Sequence, residues 1–96
     1  MSLQFLIEYN YINGITEKAH ETRDAHMIYR ESINERLIIA GPIVGEDDKP
    51  AGSVMVIQAS DIAEATDVAN GEPFVAAGVS EVVSVRLMRV SVLNPV

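Results

Sequence analysis

Residues 3–10 are Leu3-Gln4-Phe5-Leu6-Ile7-Glu8-Tyr9-Asn10. Phe5, Ile7 and Tyr9 fall at every second position of this stretch, and most of the residues between them are polar. Successive side chains of a β-strand point to opposite faces, so a period of two is typical of a strand with one strongly apolar face. The sequence therefore predicts that the chain begins with such a strand.

The residues after this strand predict a turn followed by a long helix. Asn13-Gly14 is a turn signal, and Thr16 is a suitable N-cap because its hydroxyl can accept from a free backbone N–H. Glu17 complements the positive end of the helix dipole. We therefore expect a helix from about Glu17 to Asn34.

Two apolar runs after this helix predict a hairpin. The first covers residues 37–43, and its Gly41-Pro42 marks a sheet edge or a bulge, because proline cannot donate to a strand ladder. Residues 45–50 are polar and rich in turn formers, and residues 52–59 form the second apolar run. Two such runs joined by a short polar segment are typical of paired antiparallel strands.

The last part of the sequence predicts a short helix, a further helical turn and a final strand. Asp61 and Glu64 form a capping box, and Asn70-Gly71 is expected to end this helix with a residue in the left-handed conformation. Pro73 suits the first position of the next helical turn. Residues 81–92 are rich in valine, which favours a strand.

The predicted order is βαββαβ, which indicates an α+β domain of ferredoxin-like topology. Right-handed crossovers place both helices on one face of a four-stranded antiparallel sheet and leave the other face uncovered. A large uncovered apolar face is abnormal for a soluble monomer, so we expect a homodimer formed through the sheet faces. Three of the predicted strands carry apolar residues on both sides. Leu6 lies opposite Phe5 and Ile7 in the first strand, Val54 and Val56 lie opposite Met55 and Ile57 in the third, and Val82 and Met88 lie opposite Val83, Val85 and Leu87 in the fourth.

The composition limits the number of domains and the classes of partner. A chain of 96 residues has room for one domain, which we expect to span residues 1–96. The net charge of -7 repels a phosphate backbone, so nucleic acid is not an expected partner. The chain has no cysteine and no signal-peptide or transmembrane pattern, which together favour a cytoplasmic protein with no membrane association.

The two histidines fall on opposite sides of the first predicted helix. At about 100° per residue, His26 lies at the border of the apolar stripe, where a side chain can face a pocket, whereas His20 lies on the polar side. His26 is therefore expected to be mostly buried and His20 mostly exposed. The two are not spaced to share a metal ion, and the sequence has no nucleotide-binding glycine motif, so neither a metal nor another cofactor is expected.

Three segments, taken in this order and spacing, resemble proteins of the YciI-like family. The likeness extends from about Leu3 to Val92 and implies a dimeric ferredoxin-like α/β barrel. The matching segments are Arg23-Asp24-Ala25-His26, which resembles the family's Arg-x-x-His, Leu37-Ile38-Ile39-Ala40-Gly41-Pro42, which resembles its strand ending in Ala-Gly-Pro, and Glu72-Pro73-Phe74-Val75-Ala76-Ala77-Gly78-Val79, which resembles its Asp-Pro-aromatic turn.

The resemblance implies a site in which an acidic residue serves the first-helix histidine. At the matching position this sequence has Glu72, where the family usually has aspartate. We therefore expect His26 to act as a general base oriented by Glu72, because imidazole exchanges protons near neutral pH. Related dimeric α/β barrels include isomerases, dehalogenating enzymes and monooxygenases, which implies a small cyclic or aromatic substrate and an isomerase, lyase or dehalogenase type of reaction.

Three further residues of the first helix are candidates for substrate binding. Arg23 or Arg30 would hold an anionic group of the substrate, and Tyr29 lies beside them on the same helix. The alternative hypothesis is a non-catalytic dimeric module that binds a small ligand or supports a partner, with a structural His26. A cavity at His26 with Glu72 within hydrogen-bonding distance favours the enzyme, and a packed His26 bonded to backbone favours the module.

Overall fold

The computed structural model describes residues 2–12 and 16–95. The turn predicted at Asn13-Gly14 lies outside the described residues, as does the capping side chain of Thr16. The elements are β1 (Leu3–Tyr11), α1 (Thr16–Ser32), a short 3-10 turn (Asn34–Arg36), β2 (Leu37–Val44), β3 (Pro50–Ala59), α2 (Ile62–Asn70), α3 (Pro73–Ala76) and β4 (Ser80–Met88).

The four strands form one antiparallel sheet in the order β2-β3-β1-β4. This arrangement confirms the predicted ferredoxin-like α+β fold, with β1 and β3 in the centre and β2 at one edge. Pro42 lies inside β2 opposite Ser53, and β2 is an edge strand, as Gly41-Pro42 predicted. An edge strand tolerates a proline because one of its two sides needs no hydrogen-bond donors. None of the helices in the described residues is long and apolar enough to cross a membrane.

The core lies between the helices and the face of β1 that the alternation predicted. Phe5, Ile7 and Tyr9 are each at most 4% exposed. On β3, Met55 pairs with Ile7 and Ile57 pairs with Phe5, and both are equally buried. Full burial of such a side chain contributes roughly 1.5–3 kcal/mol, so these central strand residues supply much of the driving force for folding.

The face assignment predicted for β4 is wrong at one position. Glu8 pairs with Ser84 but Tyr9 pairs with Val82, so Val83 is an extra residue in the ladder. A β-bulge of this kind turns the following side chains to the other face. Val82 and Val85 therefore both pack against the core, although the alternation had placed them on opposite faces of the strand.

β4 is also shorter than predicted, since it ends at Met88 and not at Val92. Beyond Met88 the backbone leaves the ladder with β1. The Val90 N–H donates to the side-chain oxygen of Gln4 at 2.7 Å. A side chain therefore supplies the acceptor that a continued strand pairing would have supplied.

The end of α2 differs from the prediction, although its beginning confirms the expected cap. The Asp61 side chain accepts from the Glu64 N–H at 2.8 Å. Gly71 at the other end is right-handed, with φ -75° and ψ -10°, and the left-handed glycine is Gly78 after α3. Position 71 requires glycine for another reason, because a Cβ atom there would lie 2.5 Å from the hydroxyl oxygen of Tyr29.

Candidate active site

A cavity of about 280 Å³ lies between α1, α3 and one end of the sheet. The helices supply titratable side chains to this cavity, and the strands supply aromatic, proline and serine residues. Its volume is at the lower end of the range for small-molecule pockets, which is enough for a compound with a single ring. The lining residues are Tyr9, Tyr11, His26, Arg30, Gly41, Pro42, Pro50, Ser53, Glu72, Phe74 and Ser80.

A hydrogen bond between His26 and Glu72 connects α1 to the start of α3. The Nδ1 atom of His26 lies 2.7 Å from Oε1 of Glu72, and the side chains are 21% and 6% exposed. Because a carboxylate oxygen accepts hydrogen bonds, this contact assigns the proton to Nδ1. In the neutral imidazole Nε2 then keeps its lone pair, and it has no hydrogen-bond partner among the described residues.

Glu72 is held in place by the short helix that it begins. It is the N-cap of α3, and its Oε1 also accepts from the Phe74 N–H at 3.3 Å. Pro73 occupies the first helical position, where its fixed φ favours the helix and its missing N–H is not needed. The cap and the contact with His26 therefore share one carboxylate oxygen, and the backbone of α3 fixes that oxygen.

The ring of Phe74 holds the imidazole from another side. The two rings are stacked, with centroids 4.4 Å apart and planes inclined by 7°. Stacking restricts the rotation of the imidazole about its side-chain bonds, whereas the hydrogen bond to Glu72 fixes its orientation within that plane. Phe74 follows Glu72 by two residues, so α3 supplies both contacts.

The tyrosines around the cavity are neutral hydrogen-bonding groups. Burial raises the pKa of Tyr9, and the negative charge of Glu72 raises it further. Burial also raises the pKa of Tyr11, although the positive charge of Arg30 opposes this effect. The Tyr9 hydroxyl donates to the Ala69 carbonyl at 2.8 Å, so it joins the floor of the cavity to α2.

The comparisons with known proteins bear on the family and the fold. The sequence matches the YCII-related domain family over residues 3–89. The chain belongs to this family. No protein of curated function matches its sequence at a significant level. A solved structure with the same fold is that of the 5-chloro-2-hydroxyhydroquinone dehydrochlorinase of Burkholderia phenoliruptrix AC1100, in complex with 2,5-dihydroxybenzoquinone. The two structures match with a TM-score of 0.74 and 22% sequence identity, and the match covers 93% of this chain and 94% of that chain.

The structure brings together some of the residues that the sequence predicted for the site. His26, Glu72 and Arg30 line the cavity, whereas Arg23 is exposed and lies outside its lining. Tyr29 is also outside the lining, and its hydroxyl donates to the Val68 carbonyl at 2.8 Å. Substrate binding by Arg23 and Tyr29 stays a prediction that this geometry does not support.

The two histidines have the exposure that the helical wheel predicted. His20 is exposed, and the side chain of His26 is 21% exposed. The register of α1 is therefore confirmed. In the described part of the chain, no group of three or more His, Asp or Glu side chains is placed to hold a metal ion.

Sequence reasoning missed the aromatic part of the lining. Tyr9 and Tyr11 end the apolar face of β1, and this change from Phe5 and Ile7 to hydroxyl-bearing residues was the available signal. Phe74 lies inside the motif that carried the family resemblance, but an aromatic residue in a turn has no specific role until its neighbour is known. Its stacking partner comes from α1, distant in sequence.

Proposed function

We propose that this protein is a small-molecule enzyme in which His26 acts as a general base on a single-ring compound. The observation that carries the proposal is the 2.7 Å hydrogen bond between His26 Nδ1 and the buried Glu72 at the wall of a cavity. A general base needs an unprotonated nitrogen near the substrate and a partner that orients its ring. Nε2 is the unprotonated nitrogen, and Glu72 is the partner.

The reaction that fits this pair begins with a proton transfer. Nε2 accepts a proton from a ring hydroxyl or an acidic ring C–H, and the electron pair of the broken bond stays on the substrate. That pair then expels a leaving group with its own bonding electrons, as in an elimination, or takes up a proton at another atom, as in an isomerisation. Glu72 stabilises the imidazolium that forms, because its charge lies within hydrogen-bonding distance.

The nature of the cavity supports a small aromatic or cyclic substrate. Tyr9, Tyr11 and Phe74 provide aromatic surface, and the volume of about 280 Å³ limits the ligand to about one ring. The structural neighbour that shares the fold is a dehydrochlorinase of a chlorinated hydroxyhydroquinone. A fold alone does not define a reaction, so the neighbour indicates the class of compound to test first.

The arrangement at His26 favours the enzyme over the non-catalytic module. A structural histidine is usually packed and hydrogen-bonded to backbone or core groups. His26 instead faces a cavity and forms a hydrogen bond with a carboxylate, which is the arrangement expected of an enzyme. The module hypothesis still predicts ligand binding, and it differs in predicting no turnover.

Turnover by wild-type protein, His26→Gln and the matched control His20→Gln tests the proposal. Chloride release from 5-chloro-2-hydroxyhydroquinone measures elimination, and hydrogen exchange at ring carbons of hydroxylated single-ring compounds in D₂O, followed by proton NMR, measures proton transfer. We expect His26→Gln to lower the rate by about 10²- to 10⁴-fold and His20→Gln to leave it unchanged. Equal rates in the two variants would reject His26 as the general base, and ligand binding without turnover in the wild-type protein would reject the enzyme in favour of the module.

We also propose that the protein is a homodimer formed through the uncovered face of the sheet. Leu6 and Ile39 lie on this face as the cross-strand neighbours of Val56, which is itself buried, and Val54 lies beside them. Ile39 is 49% exposed and Met88 is 36% exposed. Their contact with a second copy would remove this apolar surface from water, at about 25 cal/mol for each Å².

Static light scattering of wild-type protein and of Ile39→Asp tests the dimer. The substitution places a charge in the proposed interface at a position that is half exposed in the single chain, so it should not disturb the fold. We expect a dimeric mass for the wild-type protein and a lower mass for the variant. Ile28→Asp on α1 is the control, because Ile28 is 71% exposed and lies away from the sheet. A monomeric wild-type protein at micromolar concentration would end this proposal.

A further inference from the structure

Arg30 is a charged residue at the cavity for which the proposed proton transfer gives no role. It lines the cavity, and its Nε atom is buried without a hydrogen-bond acceptor among the described residues. In the same part of the chain no ion pair involves this guanidinium. A buried donor of a charged group that lacks an acceptor costs free energy, so an acceptor inside the cavity would stabilise it.

None of the other polar groups described in the cavity lining accepts from this Nε atom. Oε1 of Glu72 is occupied by His26 and by the Phe74 N–H. Tyr9 and Tyr11 are neutral phenols, because burial raises the pKa of both. Among the described residues of this lining, Arg30 is the one cationic side chain, apart from any proton that His26 takes up.

The position of Arg30 relative to His26 gives its charge a use. The two residues are four apart on α1, so their side chains project from the same face one turn apart. When a single-ring compound binds with its acidic proton facing Nε2 of His26, another substituent of the same ring therefore lies near Arg30. When the proton moves to His26, Glu72 faces the new positive charge and Arg30 faces the negative charge left on the ring.

We propose that the ligand of this cavity carries an oxyanion that Arg30 holds, either a carboxylate on the ring or an acidic ring hydroxyl. This inference rests on the proposed function, since it names the substrate class of the same site. An uncharged ring would offer the guanidinium only a neutral acceptor and would bind more weakly. The net charge of -7 of the whole chain disfavours polyanions such as nucleotides, and the small cavity excludes them by size.

Isothermal titration calorimetry with two pairs of probes tests the inference on the wild-type protein. Benzoate and benzamide have nearly the same shape and differ in charge, and so represent the carboxylate source. The ring-hydroxyl source is represented by 2,5-dihydroxybenzoquinone and its 2,5-dimethoxy analogue, which cannot ionise. We expect the oxyanion of at least one pair to bind about 10- to 100-fold more tightly than its neutral partner, since hydrogen bonds to charged groups contribute more than neutral ones. The pair that shows this preference identifies the source.

Variants of the two arginines of α1 show whether Arg30 carries the preference. Arg30→Gln should remove it, and Arg23→Gln should retain it, because Arg23 is exposed and outside the cavity lining. Arg30→Lys should restore the charge but only part of the affinity, because lysine lacks the planar guanidinium donors. Circular dichroism establishes that each variant is folded. If Arg30→Gln does not fold, the wild-type comparison of charged and neutral probes decides by itself.

The outcomes separate this inference from the proposed function. Equal affinity for the charged and neutral members of both pairs overturns the role of Arg30, as does a preference that survives in Arg30→Gln. Absence of binding by both oxyanions at millimolar concentration overturns it as well. The role of His26 is judged separately by turnover, and we expect His26→Gln to retain the oxyanion preference while losing activity.

Discussion

Two glutamates of this protein make the same kinds of contact in different surroundings. Glu72 begins α3, where it accepts from the Phe74 N–H and from His26. Glu64 lies in the first turn of α2, where it accepts from the Ser60 N–H and from Arg36. The Glu72 side chain is 6% exposed, whereas the Glu64 side chain is 38% exposed.

The difference shows that the surroundings of a carboxylate, more than its partners, decide what it can do. The pair of Glu64 and Arg36 is open to water, where solvent and salt screen the attraction. The pair of Glu72 and His26 is shielded and adjoins a cavity, so a proton taken up by the imidazole is stabilised by a nearby charge in a medium of low dielectric constant. Helix capping is common to both sites, and only the shielded one is suited to proton transfer.

The largest expected effect separates the two glutamates by activity. Glu72→Gln keeps a hydrogen-bond acceptor but removes the charge that stabilises the imidazolium, so we expect turnover to fall by about 10²-fold or more. Glu64→Gln should leave turnover unchanged. The measurement is the chloride-release or proton-exchange assay in which the wild-type protein is active. If both substitutions lower activity equally, the distinction between the two sites is wrong.

Nitrogen NMR tests the same comparison without a substrate. At about pH 8, where an ordinary imidazole is neutral, we expect the His26 proton to be on Nδ1 in the wild-type protein. Glu72→Gln should weaken this tautomer preference, and Glu64→Gln should not. His20 is exposed and serves as the internal control in each spectrum. A His26 tautomer mixture that resembles that of His20 in the wild-type protein would contradict the assigned hydrogen bond.

Glu72→Asp should have an intermediate effect and introduces the residue that the family usually has at this position. Aspartate is among the best N-caps, so α3 should persist. Its shorter side chain withdraws the carboxylate by about one bond length, which stretches the 2.7 Å contact with His26 beyond hydrogen-bonding distance. We expect turnover to fall about 10-fold with little change in the melting temperature. Full activity in this variant would show that α3 moves to restore the contact.

Phe74→Leu should have a smaller effect, because it removes the stacking partner of His26 while leaving Glu72 in place. Leucine is apolar and of similar bulk but offers no ring face, so the imidazole should rotate more freely. We expect a several-fold decrease in kcat, with broadened His26 ring signals in NMR spectra. Phe5→Leu is the control, since it changes a fully buried phenylalanine that does not line the cavity. The positioning role fails if both variants change kcat and the His26 signals alike.

Local patterns in the sequence were sufficient for most of the fold. The alternation in β1, the Asp61 cap and the position of Pro73 each depend on residues close together in the chain. The bulge at Val83 was not predictable, because valine fits either face of a strand and the register is set by the pairing with β1. Gly71 was misjudged for a similar reason, since the group that requires glycine there is Tyr29 of α1.

The candidate site was predictable only in part. Periodicity placed His26 at the border of the buried face of α1, but Glu72 lies 46 residues away, and only the family resemblance connected them. The same limit applies to Phe74 and Tyr9, which approach the imidazole and the cavity through tertiary packing. A helical wheel describes one helix, whereas this site requires two helices and the sheet.

The smallest expected effect concerns the stability that the exposed pair provides. The hydrogen bonds from Arg36 and, to a lesser degree, from Ser60 hold the pKa of Glu64 below its usual value of 4.5. A carboxyl group whose pKa is lowered by folding stabilises the native state above its unfolded pKa, and this contribution is lost as the pH falls through the folded pKa. Wild-type protein should therefore melt at a slightly higher temperature than Glu64→Gln at neutral pH, by a few degrees at most, because surface ion pairs are weak. The difference in melting temperature should shrink as the pH falls below about 5 and disappear in stronger acid.

Thermal unfolding followed by circular dichroism measures this difference, with Glu46→Gln in an exposed loop as the control. A difference that stays constant or grows in acid would show that the pair with Arg36 does not stabilise the fold, and the contrast with Glu72 would then rest on activity alone.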